Sequence, residues 1–235
     1  MPPTGRRRYD PDLTEVVLQI KLNTSPTLSL SNPDATLDLT LSLRISKTEH
    51  PQEPITIMTD KSAFQPFILD TIEHNPFGIL VALDSNNQPT DKKIRLGSGL
   101  RVHYAYKDIN SLDLRDHGHE FLTIPGDGRE VTVTQHLSWE RIFRYEEKLC
   151  QDDLRPGERF AIELNPYYVG TYWWCLGDLK GELKDKKFHY GEADQFEDPP
   201  DDILHDENWV LGRDPDALQW KMKKSDRNVI FEIVE

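Results

Sequence analysis

The densest run of ring chemistry lies at Tyr167, Tyr168, Tyr172, Trp173 and Trp174. Aromatic faces stack on sugars and other flat ligands, which makes Tyr167, Tyr168, Trp173 and Trp174 candidates for a ligand-binding wall. A pocket of that kind needs a few convergent polar groups, and His103 and His136 are the candidates for that part. Packing is the competing reading. Adjacent side chains on a strand point to opposite faces, so an extended 171–176 sends Trp173 and Trp174 opposite ways. One then enters a core and the other lies under whatever follows.

The one metal-like cluster is His117-Gly118-His119-Glu120. A His-x-His pair on a strand puts both imidazoles on one side, as a cupin-type metal site requires. Glu120 then falls on the opposite face, and the next histidine after Pro156-Gly157 is His189, so His117 and His119 are better read as a solvated loop. Gly97-Ser98-Gly99 lacks the Gly-x-Ser-x-Gly frame of a nucleophile elbow. No phosphate-binding glycine loop and no calcium-loop spacing occurs, and no cofactor is expected. Cys150 and Cys175 are too few for a disulfide framework, which suggests a reducing compartment.

Alternation of polar and apolar residues supplies the elements that must position these groups. Over residues 15–22, Val16, Leu18, Ile20 and Leu22 share one face, with Val17 breaking the pattern. Residues 37–44 set Leu37, Leu39, Leu41 and Leu43 against Asp38, Thr40, Ser42 and Arg44. A one-residue slip there would expose four leucines, at about 1.5–3 kcal/mol each, so register is well specified. Asn32-Pro33-Asp34 is a turn, residues 55–58 a short strand, and 77–83 a buried strand closed by a turn at 85–89. Residues 101–106 alternate again. Phe64 to Leu69 is a second apolar run, broken by Pro66. Residues 121–124 and 130–134 flank Pro125-Gly126-Asp127-Gly128-Arg129 and read as a hairpin. The spacing of Trp139, Ile142, Phe143 and Leu149 predicts a helix over 138–149, capped by Ser138.

Leu154, Pro156 and Gly157, with Phe160 three residues on, resemble the Leu-x-Pro-Gly-x-x-Tyr corner of fibronectin-type and immunoglobulin-like sandwiches. There a Tyr hydroxyl bonds back to the corner, a bond that Phe160 does not make. The alternation at 37–44, the following Pro54-Ile55-Thr56-Ile57 and the Pro-Gly-Glu corner at 156–158 also resemble a group of intracellular immunoglobulin-like β-sandwich proteins of filamentous fungi. That group carries no assigned activity, so the resemblance implies a fold and little else.

From 192 to 216 the chain has ten acidic residues and one base, Arg213. Ile203, Leu204, Trp209, Val210 and Leu211 are interspersed, as anchors that a disordered acidic tail lacks. Residues 228–234 look like a last strand or an edge segment added to a sheet. Net charge is −13, which argues against nucleic acid and anionic membranes as partners and points to a basic protein instead. Arg6-Arg7-Arg8 has no apolar stretch behind it, and no run of about 18 apolar residues follows.

With 235 residues, 37% of them hydrophobic, the chain can bury a sizeable core. The expectation is an all-β, immunoglobulin/fibronectin-III-like antiparallel sandwich over 10–187, with one short helix. A disordered tail over 1–9 precedes it and an acidic extension over 188–235 packs on it. The expected role is a cytoplasmic, non-catalytic binding protein that uses sheet edges or the acidic face. Two alternatives are an enzyme or ligand-binding protein with an aromatic-lined pocket between sandwich and extension, and a carbohydrate-binding module.

Overall fold

Leu37, Leu39, Leu41 and Leu43 are all fully buried, and the strand that carries them is the longest among the described residues, β3 (Thr36–Thr48). In the computed structural model, which describes residues 14–66, 75–97, 113–190 and 201–235, β3 lies between β1 (Val16–Thr24) and β8 (Val131–Ser138). β13 (Leu218–Lys221) completes this four-stranded sheet by pairing in parallel with β1. Val17 interrupts the alternation of β1 because the register shifts between Val17 and Leu18, a bulge that leaves Val17 buried as well.

A five-stranded sheet runs β2 (Thr27–Ser29), β14 (Asn228–Val234), β9 (Arg159–Glu163), β5 (Ile79–Leu83) and β6 (Pro89–Arg95). A three-stranded sheet holds β10 (Trp174–Leu176), β4 (Ile55–Met58) and β7 (Phe121–Ile124), and β11 (Lys187–His189) pairs with β12 (Trp209–Leu211). The chain is therefore mostly β, in several sheets paired largely antiparallel, consistent with an all-β sandwich. One apolar cluster joins the inner faces of the three larger sheets, through residues such as Leu18, Leu41, Ile57, Leu80, Phe160 and Phe231. A second cluster, built on Met58, Leu114, Trp173, Cys175, Leu183 and Phe188, lies on the other side of β4. All four residues of β4 are buried for that reason.

Several sequence expectations are corrected. Residues 121–134 form no hairpin: β7 pairs with β4 and β8 with β3, so the Pro125–Arg129 turn carries the chain from one sheet to another. Phe121 and Leu122 pack into different clusters, whereas Thr132, Thr134 and His136 face solvent. β7 thus needs a sheet covered on both sides, and β8 does not. Gly126 in that turn sits against the Gln52–Glu53 backbone, where a side chain has no room.

The helix expected over 138–149 is confined to α1 (Trp139–Phe143). Ser138 caps it as read, its hydroxyl accepting from Arg141 N at 3.2 Å. Beyond Phe143 the Glu146 carboxylate accepts from Arg95 N and Lys148 N, which holds that segment off the helical path. The buried strand expected at 77–83 starts at Ile79, which is 42% exposed, and buries only Leu80 and Ala82 fully. The segment at 228–234 is the last strand, β14, as the first of its two readings has it, and it lies between β2 and β9 rather than at an edge.

The boundary expected at 187/188 falls inside β11, and residues after it supply β12, β13 and β14. Within the described part of the acidic stretch β12 pairs with β11, and the strands that follow it, β13 and β14, join sheets begun by β1 and β2. At the corner before β9, Gly157 adopts φ 87° and its N–H bonds the Ile233 carbonyl at 2.8 Å. β14 serves the corner where the resemblance predicts a Tyr hydroxyl. Phe160 instead stacks on Phe231, centroids 5.9 Å apart. The expected tail at 1–9, the strand at 101–106 and the 67–69 end of the Phe64 run lie outside the described residues. No helix among the described residues is long and apolar enough to cross a membrane.

Candidate functional site

The aromatic run is divided by the strand that follows it. Trp174 opens β10 and is fully buried in the main cluster, its Nε1 donating to the Asp214 carbonyl at 2.8 Å. Trp173, one residue earlier, points into the second cluster. There it stacks on Phe188 (4.7 Å) and meets Phe121 edge-on (5.3 Å), and its Nε1 donates to the His189 carbonyl at 2.6 Å. Gly212 closes over the Trp173 ring so tightly that a Cβ there would overlap it. Each indole is sealed with its N–H satisfied, and the two occupy opposite sides of the β10–β4–β7 sheet.

Tyr167 and Tyr168 stand apart on a single 3₁₀ turn, Pro166–Tyr168, capped by the Asn165 side chain. Tyr167 is exposed, and Tyr168 packs on the main cluster. The four aromatics predicted as a wall therefore do not share a surface. His136 lies on the solvent face of β8, its Nδ1 2.7 Å from Asp38 Oδ1. His103 and residues 98–99 lie outside the described residues.

Histidine–carboxylate pairs are the other candidates. His119 Nδ1 is 3.1 Å from Asp60 Oδ1, and Asp60 Oδ2 accepts from the Glu120 N–H at 3.1 Å. Burial, then the Asp60 charge, push the Glu120 carboxyl above its ordinary range. An imidazole oriented by an Asp carboxylate is an acid–base arrangement in type. His117 lies exposed in the adjoining turn. Among the described residues no group of three or more His, Cys, Asp or Glu is placed to hold a metal ion.

A third pair joins His50 Nε2 and Arg213 to the same Glu15 oxygen, at 2.9 Å and 2.5 Å. Burial opposes ionisation of Glu15, but these two partners outweigh it and hold the carboxyl below the usual range. Arg213 also lies over the Trp174 ring, so this pair fastens the start of β1 to the segment before β13. Asp60, Glu15 and His50 carry no sequence signal as partners, because each meets a residue from a distant part of the chain.

A further feature is a surface. The two outer sheet faces differ in kind. On the four-stranded sheet the outward residues bond to one another: Arg44 to Gln19 (2.6 Å), Thr40 to Thr134 (2.9 Å) and His136 to Asp38 (2.7 Å). The outward residues of the five-stranded sheet are apolar at its centre. Ile230, Ala161 and Val81 form one row across β14, β9 and β5, ending at Lys93 on β6. Ile79 and Leu83 extend the row along β5, and Ile79 and Ile230 are 42% and 40% exposed.

Arg159 and Glu232 flank the row on one side, Glu163 and Arg95 on the other. The signal for this face was present in the sequence: Ile79-Leu80-Val81-Ala82-Leu83 is apolar at both phases of the strand period. No protein-family model matches the chain, and no curated protein matches it.

Proposed function

We propose that the protein is a non-catalytic interaction protein that docks a partner on the outer face of its five-stranded sheet. The observation that carries this reading is the contrast between the two outer faces. One is polar and internally bonded; the other presents Ile230, Ala161, Val81, Ile79 and Leu83 within a charged rim. An apolar centre with a polar rim is the anatomy of a protein–protein interface. The described part of the acidic stretch is the weaker docking surface, because it is partly engaged within the chain. Lys186 Nζ donates to the Glu207 carbonyl at 2.7 Å, and Lys187 lies over the Trp209 ring.

The corner at Leu154–Gly157 feeding β9 supports an immunoglobulin-like arrangement of the sandwich, and the free thiols of Cys150 and Cys175 support an intracellular setting. The reading is tested by cross-linking in a cell extract with wild-type, Ile230→Glu and His119→Ala chains. Partners held by the wild type are expected to be lost from Ile230→Glu and kept by His119→Ala. An identical set on all three chains overturns it.

A further inference from the structure

We infer that the occupant of this face is a second copy of the chain, packed sheet on sheet about a two-fold axis that runs along the Ile230–Ala161–Val81 row. The inference rests on the reading of that face as a docking surface and adds the identity and orientation of the partner. An isologous interface must complement itself: what one copy presents at a given distance from the axis must fit what it presents at the same distance on the other side. The register of β9 and β5 meets this condition.

On β9 the outward residues run Arg159, Ala161, Glu163, with opposite charges on either side of a small apolar centre. Rotation about the row places Arg159 of one copy over Glu163 of the other, and the reverse pair forms at the same time. On β6 the register shifts between the Lys93 and Pro89 pairings with β5, so that strand leaves the two-fold pattern beyond Lys93 and the charge match rests on β9. On β5 the same rotation sets Ile79 against Leu83 and returns Val81 to itself. Ile230 meets Ile230, and Lys93 is the one charged residue on the row set against its own copy, at the exposed margin where a long side chain remains in water.

The present partners of the two β9 charges are surface ones. Arg159 donates to Asn87 Oδ1 at 2.5 Å and Glu163 meets Arg227 at 2.8 Å. Contacts of that kind contribute little and exchange readily. Four strands by five residues give a patch of about 19 Å by 17 Å from ordinary strand spacings. That is roughly 320 Å² on each copy, below the usual range of stable specific interfaces and in that of weak, transient contacts, so the dimer is expected to dissociate below roughly 100 μM.

Sedimentation equilibrium of the full chain from about 1 μM to about 500 μM measures this association directly. The wild type is expected to move from monomer to dimer across that range. Arg159→Glu and Glu163→Arg are each expected to weaken the dimer about tenfold or more, because like charges then face each other across the axis. The double variant Arg159→Glu/Glu163→Arg is expected to restore association, a result that misfolding does not produce. A thiol introduced by Ala161→Cys, in a Cys150→Ala background, lies opposite its twin across sheets about 10 Å apart and is expected to be joined by a short bis-maleimide.

A chain that stays monomeric throughout, while Ile230→Glu still strips partners in the extract, overturns the dimer and leaves the docking face standing. Dimerisation that ignores all three charge variants also overturns it. If Ile230→Glu changes neither association nor partner retention, the reading of the face falls with it.

Discussion

Gly212 has no side chain because Trp173 occupies the place where one would stand. Gly212→Ala is therefore expected to cost about 1–3 kcal/mol as an overpacked contact, read as a lowered melting temperature with altered Trp fluorescence. Two carboxylates respond to pH in opposite senses. Glu15 is held low in the folded chain by Arg213 and His50 against its own burial. Its contribution to stability is full above its unfolded value, near 4.5, and is lost as pH falls through the lower folded value. Glu15→Gln is expected to lower the melting temperature at pH 7 and to narrow its gap to the wild type as the buffer is acidified below that value. Glu120 is held high by burial and by Asp60, so its ionisation costs stability at neutral pH and the cost is relieved by acid. Glu120→Gln is expected to melt at or slightly above the wild-type temperature at pH 7, with that advantage gone in acid. Thermal melts of the three chains across pH check both signs.

The strands with one wet face were legible as elements, and the pairing of strands was not. β3 could be read because a period-2 alternation that strict has one buried face and one register. Leu39→Ala is expected to cost about 2–5 kcal/mol, with the shift in denaturant midpoint as the measure. β4 is short and buried on both faces, so the sequence shows an apolar-rich run and no indication of which neighbour it takes. The hairpin expected at 121–134 failed for a related reason: a five-residue glycine turn closes a hairpin or carries a chain between sheets equally well. Only the separate destinations of Phe121 and Leu122 decide between them. The candidate site was less legible still. The opposition of Trp173 and Trp174 follows from strand geometry alone, but the chemistry around His119, His50 and Glu15 depends on partners that no local spacing reveals. The exposed outward phase of β5 is not legible either, because its unbroken apolar run matches that of a buried strand.

At the scale of the molecule, the late strands complete sheets begun by the early ones. β13 lies beside β1, and β14 separates β2 from β9. A chain ended after residue 200 would lack β12, β13 and β14, and with β14 the strand that joins β2 to β9 in the five-stranded sheet. It is expected to show no cooperative unfolding transition, whereas a sandwich that only carried an appended extension would still melt sharply. Circular dichroism of the truncated chain distinguishes the two. The pairing of Val16 with Leu218 also sets a schedule for biosynthesis. At about 5–20 residues per second, β1 leaves the ribosome roughly 10–40 s before the strand that covers its edge has been made. Throughout that interval an apolar strand with open backbone groups is available to neighbouring nascent chains. Soluble yield is therefore expected to rise when translation initiation is slowed and polysomes are thinned, since crowding among incomplete copies, more than the stability of the finished fold, limits how much of it is recovered.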